Sequence, residues 1–297
     1  MIRLFEAFSG YGSQALALEK YGVEFESVGI AEIDKYAIQA HKALHGEIKN
    51  YGDVSVLEVD ELPDMDLFTY SFPCQDISNA GKQRGLEKGS GTRSSLLWEC
   101  ERIIEGKLPK FLMMENVKNL VGKKNKPHFD EWLYLLDELG YNNYWKVINA
   151  KWCGVPQNRE RVFCVSIRKD VDNGLFNFYE DFDNGIRLKN ILEEEVEEKY
   201  YLSEKMMNYV LNTGTGGFYY KPEIDLDIAR PLTASMVKMH RAGTDNYISE
   251  SFEKNGERTL LTIKKLLKKD IKKRIQVIVL TLNIQIQKHE EEELGNK

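Results

Sequence analysis

The sequence predicts an α/β fold: a doubly wound, mostly parallel sheet followed by a second, smaller region. Three observations point there. Short apolar runs alternate with segments of helical period from Ile2 to Ile167. The first of those runs meets a glycine turn and then a helix, the order of a nucleotide-binding βα unit. From about Lys169 the composition changes, with aromatic and acidic residues between Phe176 and Phe182, an acidic run from Glu193 to Glu198, and glycines from Gly214 to Gly217. A chain of 297 residues with 42% hydrophobic content can bury a sizeable core in one large and one small domain.

In chain order, Ile2 to Phe8 reads as a strand, Ser9-Gly10-Tyr11-Gly12-Ser13 as a turn, and Gln14 to Lys20 as a helix that stops at Gly22. The glycines let backbone approach a nucleotide-like ligand, and the helix start offers free N–H donors. Phe25 to Ile33 reads as a second strand, ending at Glu32 where a ribose-binding acid is expected, about 20 positions after the glycines. Lys35 to Leu44 is helical, and Asp53 follows Gly52 as a further acceptor. Each acid taken alone reads equally well as a solvated loop carboxylate. Together with the glycine turn they favour an adenosine-containing cofactor.

The strand-like run Asp66 to Phe72 leads to Pro73 and Cys74. Proline fixes φ and removes a donor, so the chain turns there, and residues beyond the carboxyl ends of α/β strands line the ligand crevice. Cys74 is therefore either a placed nucleophile or, as most free cysteines are, a small buried hydrophobe. Gly81 to Arg93 has no hydrophobic period and many Gly, Lys, Arg and Ser; it reads as a long mobile loop suited to phosphate contact. Ser95 to Ile104 is a helix with Cys100 on its apolar stripe. Lys110 to Val117 is a buried strand ending in Glu115 and Asn116. Asp130 to Leu139 is an amphipathic helix, Tyr144 to Ala150 a strand, and Val162 to Ile167 the last strand of the series. Strand alternation puts Arg159 and Arg161 on one side, two cations that call for an anion or polar ligand unless the entrance is simply solvated.

The four cysteines form no Cys-x-x-Cys pair, so neither a metal site nor a redox dithiol is indicated. The net charge of −6 excludes a uniformly basic coat but not a local basic cleft. No apolar run approaches the ~18 to 20 residues of a membrane span, and Met1-Ile2-Arg3-Leu4 enters a strand without a basic leader. A cytoplasmic protein, monomeric and not associated with membranes, is the expectation.

Phe8-Ser9-Gly10-Tyr11-Gly12, Pro73-Cys74-Gln75, Glu115-Asn116-Val117 and Gln157-Asn158-Arg159-Glu160-Arg161, in this order, resemble the motifs of the C5-cytosine DNA methyltransferases, and Arg230 to Ile248 resembles that family's small-domain motif. The resemblance implies a Rossmann-like catalytic domain binding S-adenosylmethionine (residues 1–168) and a small target-recognition domain (169–257), with double-stranded DNA in the cleft between them. It makes Cys74 the nucleophile toward carbon 6 of a flipped-out cytosine, Glu115 the group on nitrogen 3 and the amino group, Arg161 the contact to the base oxygen and Arg159 a positioning cation. It assigns Phe8, Gly10, Gly12, Glu32, Ile33, Asp53, Val54 and Pro73 to the cofactor, and Gln75, Ser78, Asn116, Gln157, Arg230 and Thr233 to the substrate, with the Gly81–Arg93 loop as a lid. An RNA cytosine methyltransferase is the alternative within the same chemistry.

One segment departs from the pattern. The family's returning Gly-Asn-Ser-like segment is not found, and residues 258–297 turn rich in lysine and isoleucine, with Lys264 to Arg274 strongly basic and four glutamates from Glu290 to Glu293. Two readings stay open: an out-of-frame tail that leaves the chain a catalytically impaired binding relative, or a genuine basic helix from Leu260 to Arg274 followed by an edge strand.

Overall fold

The computed structural model describes residues 1–77, 86–193, 201–213, 222–232, 243–254 and 257–263. Within them the chain forms two compact units. The first takes in residues 1–148 and 160–180, and the second takes in 149–159 and the described residues from 181 onward.

The first unit is built on a six-stranded sheet: β1 (Ile2–Ala7), β2 (Phe25–Ala31), β3 (Leu67–Tyr70), β4 (Phe111–Val117), β5 (Tyr141–Asn149) and β6 (Glu160–Arg168), in the order β2-β1-β3-β4-β6-β5. β1 pairs in parallel with β2 and β3, and β3 with β4, while β6 runs antiparallel to β4. The doubly wound, mostly parallel sheet expected from the alternation is thus present. Leu67 to Tyr70 are all buried, as suits a central parallel strand covered on both faces. Helices α1 (Ser13–Lys20), α2 (Lys35–His45), α3 (Leu97–Lys107) and α4 (Lys126–Glu138) connect the strands. Phe5, Phe68, Tyr70, Ile103, Leu112, Met114 and Trp132 centre the core, each almost wholly buried. The Trp132 indole donates to the Tyr70 hydroxyl at 3.2 Å, so the polar tips of two buried aromatics satisfy each other.

Several boundaries differ from the sequence reading, each for a local reason. The strand expected from Asp66 to Phe72 is confined to Leu67–Tyr70; Asp66, just before it, bonds to β1 and β4 through its backbone while its side chain accepts from the Arg3 N–H at 3.1 Å and Nε at 3.0 Å. α4 starts at Lys126, four residues earlier than expected: Pro127 sits in the first turn, where its missing N–H costs nothing. β5 starts at Tyr141, whose hydroxyl donates to the Pro109 carbonyl.

The largest correction concerns the Gly81–Arg93 stretch. Leu86 is fully buried in the core, the Trp98 indole donates to its carbonyl at 2.9 Å, and Lys88 pairs with Glu101 on α3. Leu86 and Lys88 therefore anchor this stretch to α3, although Glu87 to Gly91 stay exposed, and the looseness expected of it does not hold at Leu86. Residues 78–85, with Ser78, lie outside the described residues.

In the second unit a short helix α5 (Glu204–Asn208), with Ser203 accepting from the Met206 N–H at its start, runs into a π-helical turn over Tyr209–Thr213. Leu202, Val210 and Tyr247 form a small core. β7 (Ile248–Lys254) and β8 (Glu257–Ile263) pair as an antiparallel hairpin in continuous register from Ile248↔Ile263 to Lys254↔Glu257. Residues 260–263 are therefore strand, which overturns the reading of a helix beginning at Leu260. The rest of the lysine-rich stretch lies outside the described residues, as does Thr233.

Candidate active site

Strand order decides where a site can form in the first unit. β1 lies between β2 and β3, so the chain winds to one side after β1 and to the other after β3; ligand crevices open at the carboxyl ends of strands at such a reversal. The Phe8–Gly12 turn leaves the end of β1, Glu32 follows β2, the Pro73-Cys74 turn follows β3, and Glu115 sits near the end of β4. Because β6 runs antiparallel to β4, Arg161 at its start reaches that same edge of the sheet.

The glycine turn is conformationally specialised. Phe8, Gly10 and Gly12 have φ of 54°, 58° and 75°, a region costly for the phenylalanine and open to the glycines. The turn is held by the Phe8 N–H on the Ala31 carbonyl at 2.8 Å and the Gly12 N–H on the Ser9 carbonyl at 2.9 Å. Above Gly10 there is open space, since a β-carbon there would meet nothing within 4 Å. Glu32 is engaged at both oxygens: Oε2 accepts from the Gly10 N–H at 2.9 Å, and Oε1 accepts from the Ile33 and Asp34 N–H groups at 2.8 Å each. A carboxylate oxygen offers two lone pairs, so Oε2 retains acceptor capacity toward a hydroxyl. Ile33 next to it is an apolar side chain 71% exposed. Asp53 spends Oδ1 on Ser55, at 2.9 Å to its N–H and 2.7 Å to its hydroxyl. Val54 is buried and its carbonyl accepts from Arg102, so it shapes the turn from below.

The Cys74 turn is fixed from behind by residues that sequence reasoning did not single out. Ser94 donates its hydroxyl to the Pro73 carbonyl at 2.7 Å and accepts from the Asp76 N–H at 3.2 Å. Asp76, almost wholly buried, accepts from the Arg93 N–H at 2.9 Å. Asn119 donates to the Ile77 carbonyl. Asn116 is 2% exposed and donates to the Phe72 carbonyl at 3.0 Å while accepting from the Val117 N–H; its amide is spent on backbone at the base of the turn. Gln75 is exposed and its Oε1 accepts from Arg93 at 2.9 Å.

Among the four thiols, Cys74 alone is partly exposed; Cys100, Cys153 and Cys164 are buried. Burial pushes the Cys164 thiol up to about 12 and the Cys100 thiol above its ordinary value, so neither forms thiolate near neutral pH. The expectation that Cys100 belongs to the core is met.

Glu115 and Arg161 are joined. Arg161 pairs across the ladder with Val117, two residues from Glu115 on the same face, and its Nε donates to Glu115 Oε1 at 2.9 Å. Both side chains stay partly accessible, at 20% and 26%. β6 begins at Glu160, so strand alternation does not extend to Arg159, which belongs to the second unit. There the Arg159 N–H donates to Asn149 Oδ1 at 3.1 Å. Gln157 is buried and bridges to Ala229. The Arg230 guanidinium is taken up by Glu223 and the Asp245 carbonyl, and its N–H by Asn246. Ser94, Asn119 and Asp76 have no local signature: each acts on backbone distant in sequence or around a turn.

The family described as C-5 cytosine-specific DNA methylase matches residues 2–291. Relatives include the type II methyltransferase M2.ScrFI of Lactococcus lactis subsp. cremoris, 42% identical over 70% of this chain and 72% of the relative. The orphan methyltransferase M.SPRI of Bacillus phage SPR is 35% identical over 71% of this chain and 54% of its own length. For the type II methyltransferase M.NlaX of Neisseria lactamica the figures are 35%, 69% and 64%. The chain thus spans between about half and three quarters of these relatives' lengths. In fold, it is similar to the methyltransferase EhMeth of Entamoeba histolytica (TM-score 0.70, 15% identity, 99% of both chains). It also resembles the Dnmt2 methyltransferase of S. pombe (TM-score 0.66, 19% identity, 86% of this chain and 78% of that one).

Proposed function

The chain belongs to the C-5 cytosine-specific DNA methylase family, and from that premise we propose that it transfers a methyl group from S-adenosylmethionine to carbon 5 of cytosine in double-stranded DNA, as a modification enzyme of the restriction–modification or phage type. The observation that carries the reading is that the Cys74 turn follows β3, the neighbour of β4, and that β4 bears near its carboxyl end the Glu115 paired with Arg161. The Cys74 thiolate adds to carbon 6 of a cytosine turned out of the duplex, and the electron pair of the 5,6 double bond makes carbon 5 enamine-like. Glu115 holds nitrogen 3 and the exocyclic amino group; protonated, it supplies a proton as charge develops on the ring. Arg161 orients Glu115 through the 2.9 Å contact and offers its remaining N–H groups to the base oxygen. After methyl transfer a base takes the carbon 5 proton, the ring double bond re-forms, and the bond to the Cys74 sulfur breaks.

The residues around the glycine turn fit the cofactor. The open space over Gly10, the spare lone pair on Glu32, the exposed Ile33 and Asp53 Oδ2, which accepts no hydrogen bond from the described residues, suit a glycine-lined adenosine site. When bound, S-adenosylmethionine supplies the electrophilic methyl group. Phe8, Gly10, Gly12, Glu32, Ile33, Asp53, Val54 and Pro73 form its site in this reading. Residues 1–168 act as the catalytic domain and 169–257 as the target-recognition domain, and Arg159, Gln157 and Gln75 serve the substrate.

The test is incubation of the full chain with methyl-labelled S-adenosylmethionine and either duplex DNA or transfer RNA, followed by mass spectrometry of the nucleosides. 5-Methylcytosine in DNA is the expected product. Label confined to RNA, or carried on an exocyclic nitrogen, would overturn the assignment.

A further inference from the structure

A polar cluster lies beneath the glycine turn that the proposed chemistry does not use. Glu6 on β1 is wholly buried, and neither of its oxygens has a hydrogen-bond partner among the described residues. It meets His41 Nε2 on α2 at 3.7 Å, too far for a hydrogen bond. His45, one helical turn on and on the same face of α2, stacks obliquely against His41 with ring centres 4.6 Å apart. Its Nε2 lies 3.1 Å from the Tyr11 carbonyl; a carbonyl only accepts, so Nε2 carries the hydrogen. The two rings also fill the volume that a side chain at Gly12 would need: a β-carbon there would sit 2.4 Å from His45 Nε2 and 2.9 Å from His41 Nε2.

α2 therefore grips the turn from both of its ends. Glu32, just before the helix, holds the Gly10 N–H, and His45, in its last turn, holds the Tyr11 carbonyl. We propose that His45 is a positioning residue for cofactor binding: with His41 and Glu6 bracing it from below, it fixes the height of Gly10–Gly12 at which S-adenosylmethionine is met. The inference rests on reading this turn as the cofactor site.

The experiment measures S-adenosylmethionine affinity by calorimetry for the full chain and for His45→Leu, His45→Gln, His45→Asn and Glu32→Ala, with melting temperatures and steady-state kinetics alongside. A glutamine amide places its donor near the position of Nε2, whereas asparagine places it near Nδ1, one bond short of the carbonyl. Affinity should fall about tenfold in His45→Leu and His45→Asn, the size of one lost and misplaced hydrogen bond. His45→Gln should recover to within about threefold of the unaltered chain. The loss should appear in KM for the cofactor and leave kcat and KM for DNA in place.

Unchanged affinity in all three His45 variants would overturn the proposal, and so would equal weakening of all three accompanied by equal loss of melting temperature, which marks a merely structural role. If His45→Leu does not fold, the glutamine and asparagine pair decides alone. Glu32→Ala separates the premise from the inference. Weaker binding there with unaffected His45 variants rejects the His45 role only. No effect of Glu32→Ala, or no binding by the unaltered chain, rejects the cofactor site and the inference with it.

Discussion

Cys74 differs from the other thiols by its partial exposure and by the turn that carries it. β3 ends at Tyr70, Ser94 ties the Pro73 carbonyl, and Asn116 ties Phe72 just before it, so the sulfur stands on a braced backbone at partial exposure. Alkylation of the folded protein near pH 8 should therefore modify Cys74 first, with Cys100 and Cys164 reacting only on unfolding; peptide mapping after brief iodoacetamide treatment reads this directly. Cys74→Ser should abolish transfer, since a hydroxyl supplies almost no anion at neutral pH, while S-adenosylmethionine binding persists. Near-normal turnover by the serine variant would remove the nucleophile from the mechanism. For Glu115→Gln the expected loss is in kcat and not in DNA affinity, because the amide keeps the shape and the contact to Arg161 but cannot exchange a proton with the ring. A rise in KM alone would make Glu115 a binding group.

At the scale of elements, the stretch that precedes α3 is anchored at Leu86, a position the sequence reads as loose. A single leucine among Gly, Lys, Arg and Ser gives no periodicity, yet Leu86 is fully buried and its carbonyl is capped by Trp98. Leu86→Ala should cost about 2–5 kcal/mol of stability in urea unfolding, the usual range for a large-to-small core change. A cost below about 0.5 kcal/mol would mean that the anchor is superficial. Asp66 gives a pH prediction. Burial alone would raise its carboxyl, but the hydrogen bonds from the Arg3 side chain and backbone outweigh it and hold the group below the usual carboxylate range. A depressed folded value stabilises above the unfolded pKa and is lost as pH falls through the folded one, so this contribution is intact at pH 6 and fades below about pH 4. Asp66→Asn should flatten the decline in stability between pH 5 and pH 3, seen as converging urea midpoints. The effect is modest, because the Arg3 side chain is 41% exposed and solvent screens the pair.

For the whole molecule, what can be read from sequence is what local patterns encode. The sheet strands are short apolar runs bounded by breakers, Cys74 follows β3 and Glu115 lies near the end of β4, so both the fold and the candidate groups are visible in the chain. The supports are not: Ser94, Asn119 and His45 meet backbone groups far away in sequence, and a polar residue that fills one carbonyl or N–H carries no period. The charge balance is likewise a property of the chain as a whole. With a net charge of −6, the DNA binding of the proposed function has to rest on local cations, and several among the described residues are already committed, Arg161 to Glu115, Arg230 to Glu223 and Arg3 to Asp66. Binding to duplex DNA should then show a shallow salt dependence, with log K falling against log salt by less than about 5, roughly half the slope of a repressor that neutralises about ten phosphates. Arg230→Ala should lower the melting temperature and leave that slope unchanged, because its guanidinium holds Glu223 and the Asp245 carbonyl. A slope reduced by about 1 at every DNA sequence tried would show instead that Arg230 lies on a phosphate. Filter binding over a range of potassium chloride, with both proteins at one pH, distinguishes the two.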